Sequence, residues 1–338
     1  MSIVFFGEIM QRLTPALPQQ KLVVAKNLAV DFAGAEANVA SSLARLGHQS
    51  YFATRLPDNP IGDHCIATLK QYGINTDYCV RGGNRIGSYF IELGASIRPS
   101  RVVYDRADSA FACLQSEQFD WENILAGKDW LFLGGITPAL STNCASEIVK
   151  AARIAQNMGV KVAFDINYRR SLWSAEQQQN GVAELIFSQI LHYCDLAFAN
   201  AGAVADVFGK TFDEGDAIEQ AKLVATYLTN AFTVDAAVTA RLHNSASSNQ
   251  LAAIYRTQGN NYQSNWLDVE ILDRLGTGDA FAAGLFNGLL KGQPPQQCID
   301  FANAAFALAH TCYGDQHWSD EDEINAVVQG FTSGHVIR

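Results

Sequence analysis

The sequence predicts an α/β protein: a doubly wound, mostly parallel sheet with helices on both faces, and a small β lid added to it. Three observations carry this. Short β-rich runs at 2–9 (SIVFFGEI), 129–136 (DWLFLGGI), 161–167 (KVAFDIN), 195–200 (DLAFAN) and 236–241 (AAVTAR) are apolar nearly throughout, as strands covered on both faces should be. Helix-length periodic segments at 38–47, 141–159 and 214–230 lie between them, and strand alternating with helix is the pattern of a parallel sheet with crossover helices. Hydrophobic residues make up 48% of the chain and charged residues 17%, enough apolar surface for a large sheet and too little charge for disorder. A single domain over residues 1–338 is expected, since α/β folds of this length are often one unit with insertions.

The first run meets Glu8 after a short apolar stretch and carries no basic flank, so it reads as a strand and not as a leader. No apolar run reaches membrane-spanning length, and a soluble, cytoplasmic protein is expected. Residues 13–34 and 85–110 break the alternation. Their period-two patterning between turn residues predicts antiparallel strands inserted as a lid, and a strand through VVYDRA puts Tyr104 and Arg106 on one face.

A formal net charge of −10 without any Lys/Arg run argues against nucleic acid or an anionic membrane surface as partner. An anionic ligand must then be drawn in by a few placed arginines. The seven cysteines are odd in number, scattered and without a C-x-x-C pair, which suggests free thiols. The seven histidines show no metal-ligand spacing, so no residues are assigned to a protein metal site.

The last strand-like run, 265–272 (NWLDVEIL), leads into DRLGTGD (273–279) and then a helix of small and apolar residues able to pack closely on a sheet. Gly276 and Gly278 can take backbone angles that turn successive N–H groups into one concavity, and the helix that follows adds the positive end of its dipole. An anion suits that concavity. Asp279 at its mouth has two readings: the helix N-cap, or the base that orients an attacking hydroxyl in phosphoryl transfer. Proximity to the helix N-terminus would weaken it as a base. The spacing matches neither the P-loop nor the dinucleotide fingerprint.

This segment resembles the signature of the ribokinase-like (PfkB) sugar kinases, in which a G-x-G-D turn forms an anion hole and its Asp is the base. GEIMQRLTP (7–15), GAEANVA (34–40), RLPDNPIGD (55–63), RPSRVVYDRADSA (98–110), GGITPALS (134–141), DINYRRSLW (165–173) and HTCYGD (310–315) extend the likeness along the whole chain to the closing GHVIR. Together they resemble the 2-keto-3-deoxygluconate kinases.

That resemblance implies ATP-dependent phosphorylation of the sugar acid's terminal hydroxyl, with Mg2+ as the charge-neutralising cofactor. It implies that Gly34, Glu36 and Asn38 face the sugar, while Tyr89, Tyr104 and Arg106 reach down from the lid, Arg106 toward the carboxylate. Arg169 would approach the sugar and the transferred phosphoryl group, and Asp315 would bind a hydroxyl. Asn167 and Asn200 would sit nearer the nucleotide, and Thr239 and Arg241 are further candidates there. Asp279 would take the proton, and Gly276, Thr277 and Gly278 would hold the phosphate charge through backbone N–H groups. Against these stand plainer roles: Arg106 paired with Asp105 or Asp108, Arg169 and Arg170 solvating a loop, Tyr89 packed in a core.

The chain departs from the family pattern at Ala203, where an acidic residue usually follows Asn200 by three positions and helps hold magnesium; the nearest following carboxylate is Asp206. It departs again at LHNSASSNQ (242–250), where a glycine-bearing nucleotide loop is common, and in smaller ways at Ala33 and Thr277. Alternative readings are a kinase of another sugar, such as fructose, and a catalytically weak sugar-acid-binding protein. Exposed lid edges predict a homodimer formed through the lid.

Overall fold

The computed structural model describes residues 1–17, 19–245 and 247–331. The closing GHVIR stretch, Pro18 of the first lid stretch and Ala246 of the loop at 242–250 lie outside the described residues. Along the described chain run β1 (Ser2–Phe6), β2 (Met10–Pro15), β3 (Leu28–Ala33), β4 (Gln49–Leu56), β5 (Cys79–Arg81), β6 (Ser88–Glu92), β7 (Arg101–Asp105), β8 (Trp130–Gly134), β9 (Lys161–Asp165), β10 (Leu196–Asn200), β11 (Asp235–His243), β12 (Ser248–Thr257), β13 (Asn260–Gln263) and β14 (Leu267–Glu270).

The large sheet has the order β13-β12-β11-β10-β9-β8-β1-β4-β5, with β14 paired to β12. Pairing is parallel from β11 across to β5 and antiparallel where β12 meets β11, β13 and β14. Period two explains the apolar runs. On β1, Ile3 and Phe5 enter one core and Val4 and Phe6 the other, so both faces of the strand are covered. Each fully buried Phe contributes about 2 kcal/mol by leaving water.

Helix ends follow local chemistry. Ser141 accepts from the Cys144 N–H (3.2 Å) to start the helix Thr142–Asn157, and Asp216 accepts from the Ile218 and Glu219 N–H groups (3.0 Å each) to start Ala217–Phe232. The helix expected at 38–47 begins earlier, at Ala35, because Gly34 is extended and serves as its N-cap. Among the described residues no helix is long and apolar enough to cross a membrane.

The two lid stretches pair with each other in the order β3-β2-β6-β7. The outer pairs are antiparallel as expected, but the central pair β2 and β6 is parallel, because the chain rejoins beside β2 from the far edge of the large sheet after β5. The large sheet winds outward from β1 in both directions. That reversal opens a crevice beyond the carboxyl ends of the parallel strands, where ligands of such sheets sit, and the lid covers it.

Candidate active site

A cavity of 630 Å3 occupies this crevice. It collects Gly34 and Asn38, the lid residues Tyr89, Tyr104 and Arg106, Asn167 and Arg169 after β9, Asn200, Thr239 and Arg241 from β10 and β11, the Gly276-Thr277-Gly278 turn, Asp279 and Asp315. Glu36 is the exception among the expected residues. It is not part of the cavity wall: its carboxyl fills the space where side chains of Gly7 and Gly134 would otherwise stand, and only 2% of the residue is exposed. Among the described residues no hydrogen-bond partner reaches its Oε1.

The glycine turn bears on the cap reading of Asp279. Gly276 takes φ 71° and is itself the N-cap of the helix Thr277–Leu290, which leaves Asp279 inside the first turn. The N-cap reading is therefore excluded. The first N–H groups of this helix lack intrahelical acceptors, as at every helix start, and the residues that carry them line the cavity. Its small residues pack helix on helix: Gly284 lies against Ala302 and Gly288 against Cys298, contacts that a side chain would not tolerate.

Asp279 Oδ2 accepts from Asn38 Nδ2 at 2.7 Å. Burial drives its carboxyl up to about 8, with Asp165 and Asp315 adding to the shift and Asn38 and Arg169 opposing it. Burial likewise pushes Glu36 to about 8 and Asp165 to about 6. Loss of water is the largest cause of the shift at Asp279 and favours its neutral form, in the direction opposite to that of a helix N-terminus.

Arg106 pairs with Glu8, not with Asp105 or Asp108, and Ser109 donates to the same carboxylate. Its guanidinium lies over the Tyr104 ring, 5.6 Å from the centroid, so both line the wall as one unit. Asp105 instead pairs with Arg85 at 2.8 Å. The Tyr89 hydroxyl donates to Asp315 Oδ2 at 2.9 Å, and the other carboxylate oxygen is held by Arg12, which also binds Asp273 Oδ2 at 2.7 Å.

At the far end of the cavity, Arg241 donates to His310 Nε2 (3.0 Å), whose Nδ1–H in turn reaches the Phe306 carbonyl oxygen (2.7 Å). Burial lowers His310 to about 3, and the neighbouring Arg241 adds to that, so it is a neutral acceptor. Asn200 uses its Oδ1 to cap the helix Ala201–Phe208 through the Ala203 N–H at 2.9 Å. Ala203 itself is buried, and Asp206 is held by the exposed Arg170. The missing acid is thus not replaced by its neighbour.

The sequence reading gave no site role to Glu8, Arg12, Asp165 or Asp273. Their signal was a charge inside an otherwise apolar or alternating run.

Residues 1–322 match the model of the pfkB family carbohydrate kinases. The chain belongs to that family. This sugar kinase is 30% identical over 333 residues to a 2-dehydro-3-deoxygalactonokinase of Haloferax volcanii, covering 98% of both chains. The solved 2-dehydro-3-deoxygluconokinase of Thermotoga maritima superposes with a TM-score of 0.92 at 39% identity, over 98% of this kinase and 100% of that chain. An Escherichia coli structure in complex with ATP and Mg2+ has the same fold, with a TM-score of 0.80 over 97% of this chain and 99% of that one at 20% identity.

Proposed function

We propose that this kinase transfers the terminal phosphoryl group of ATP to the terminal hydroxyl of a 2-keto-3-deoxy sugar acid, 2-keto-3-deoxygluconate being the expected substrate. One observation carries the reading: a buried carboxyl poised near neutrality, Asp279, shares a cavity with a helix N-terminal anion turn and with arginines that include Arg106 and Arg169, in an otherwise acidic protein.

Asp279 accepts the proton of the sugar hydroxyl as its oxygen bonds to the outermost phosphorus and the bond from that phosphorus to ADP breaks. The N–H groups at Gly276, Thr277 and Gly278 receive the charge on the transferring group, and Arg169 adds a fixed cation. Arg106, stiffened by Glu8 and Tyr104, presents its fork to the sugar's carboxylate. Thr239, Arg241, Asn167 and Asn200 lie where the nucleotide would extend.

A magnesium ion fits the donor set. Asp165 is the lining carboxylate whose only hydrogen bond among the described residues is to a backbone N–H, that of Asn167 at 3.2 Å, and magnesium carried on phosphate oxygens and water requires few protein ligands. Bound there, it would neutralise phosphate charge.

Coupled ADP release over a panel of sugars tests the substrate, and a preference for fructose or ribose over the acid of more than about tenfold would overturn it. Arg106→Ala removes a charge-assisted contact of about 2 kcal/mol, so KM for the acid should rise roughly 30-fold more than KM for fructose, which shares only the disturbance from the unpaired Glu8. Equal losses for both sugars would reject the carboxylate role. Tight sugar binding without turnover under saturating Mg·ATP would instead support a binding protein.

The lid also bears on assembly. Edge strand β3 exposes Leu28 and Val30, and β7 exposes Val103, so unpaired backbone and apolar side chains face water together. We expect a homodimer through this surface. Light scattering should give twice the chain mass, and a monomer at working concentration would count against it.

A further inference from the structure

We propose that Arg12 on β2 is a positioning residue for the sugar: its guanidinium seats the lid on the anion turn and holds Asp315 as a fixed acceptor for a sugar hydroxyl. This rests on the kinase reading above.

Three distant segments meet at this one side chain. Arg12 binds Asp273, which opens the DRLGTGD turn, and Asp315, which follows the helix Pro295–Ala309; its Nε donates to Thr14 on its own strand at 3.0 Å. Asp273 accepts from the Leu275 N–H of its own turn at 3.1 Å and from the Gly314 N–H, next to Asp315, at 3.2 Å, so it ties the turn to the Asp315 segment as well. The backbone carbonyl of Asp315 occupies the space that a side chain at Gly276 would need. Lid, anion turn and Asp315 thus form one knot, and the cavity wall includes Asp315.

Docking alone does not explain the charges. An apolar side chain would seat β2 without taking three ions from water, a burial that well-packed hydrophobic residues commonly match in stability. What the guanidinium adds is a single cation between two carboxylates, of which one serves the turn and the other faces the ligand.

The groups acting on Asp315 are Arg12 and Tyr89 from the lid, Asp273 from the turn, Asp279 from the helix Thr277–Leu290, and Tyr72 after the helix Pro60–Gln71. Burial raises its carboxyl and Arg12 lowers it. Without Arg12 the carboxyl stays protonated to higher pH and donates a hydrogen bond where the sugar hydroxyl needs an acceptor. Sugar binding should then recover as pH rises.

The test uses the full-length kinase and whichever sugar the wild type phosphorylates best in the panel, with calorimetry of sugar binding and kinetics from pH 6 to 9. Arg12→Gln should raise the sugar KM at least about tenfold at pH 7, move the ATP KM by less than about threefold, and make sugar affinity climb more steeply with pH than the wild type's. Adding Asp315→Asn should abolish that added pH dependence, and Arg12→Lys should restore part of the affinity. A folded Arg12→Gln variant with wild-type sugar affinity, or one that loses both substrates equally without any added pH dependence, overturns the inference. If Arg12→Gln does not fold, Arg12→Lys decides: the cation remains but the fork is lost, and an unchanged sugar KM refutes the role. A wild type that rejects every sugar acid but works on a neutral sugar defeats the substrate reading alone, since the Arg12 comparison is then made on that sugar.

Discussion

Asp279→Asn lowers kcat by about 10^3-fold, in the middle of the roughly 10^2–10^4-fold range that a positioned general base contributes. The substitution keeps the shape of the side chain, and Asn38 Nδ2, now 2.7 Å from Asp279 Oδ2, still finds the amide oxygen, so the turn and the cavity survive. What disappears is the ability to accept a proton. Substrate KM values should therefore stay within about threefold, the pattern of an interaction made only in the transition state.

The pH profile supplies a second, independent readout. Because burial raises the Asp279 carboxyl to about 8, it is neutral below that pH and ionised above it, and only the ionised form is a base. Wild-type kcat/KM should rise with pH through this region and be lost as pH falls. Glu36 titrates in the same range and Asp165 near 6, so the limb belongs to the coupled cluster of three carboxyls and not to one residue. Initial rates from pH 6 to 9.5 should show that limb in the wild type and, with only Glu36 and Asp165 left to titrate, a much shallower one on the low residual rate of the variant. Retention of more than a tenth of the wild-type kcat by Asp279→Asn, or a flat wild-type profile, would remove Asp279 from the chemistry.

The large sheet was legible because its strands are apolar on both faces, a pattern that a single sequence displays directly. Local patterning also placed the lid strands, yet not their directions: the parallel pairing of β2 with β6 depends on where the chain returns, which is not a local property. Arg12 was hidden for a related reason. Alternation along β2 buries Met10 and Arg12 and leaves Leu13 only half-buried, because the inward-facing side meets Asp273 and Asp315, more than 260 positions away, instead of an apolar core. Glu36 sits on the correct helix, but its direction is set by two glycines, Gly7 just after β1 and Gly134 at the end of β8, that leave room for a carboxyl between them. At Asp279 the sequence could not separate a cap from a base. The structure removes the cap reading, since Gly276 occupies the cap position and leaves the aspartate in the first turn.

That same glycine gives the second large effect. A Cβ at Gly276 would stand 1.8 Å from the Asp315 carbonyl oxygen, and the residue's φ of 71° costs an L-residue about 1–2 kcal/mol even in open space. Gly276→Ala must therefore move either the turn or the Asp315 segment. If the turn moves, the N–H groups lose their aim at the transferring phosphoryl group, a loss worth about 10^2–10^3-fold in kcat by analogy with removal of one oxyanion donor. If the Asp315 segment moves, Arg12 and Tyr89 lose their common partner and the sugar KM rises as well. Gly278→Ala is the control: nothing lies within 4 Å of its Cβ position, so the fold should tolerate the added methyl and any loss should appear in phosphate binding. Thermal melts and kinetics on both variants separate these cases. Gly276→Ala should melt several degrees lower with both kcat and sugar KM damaged, whereas Gly278→Ala should melt within about 2 °C of wild type, the range of a surface change below 0.5 kcal/mol. A Gly276→Ala variant with wild-type melting and rate would mean that the turn does not have to hold this shape for phosphoryl transfer.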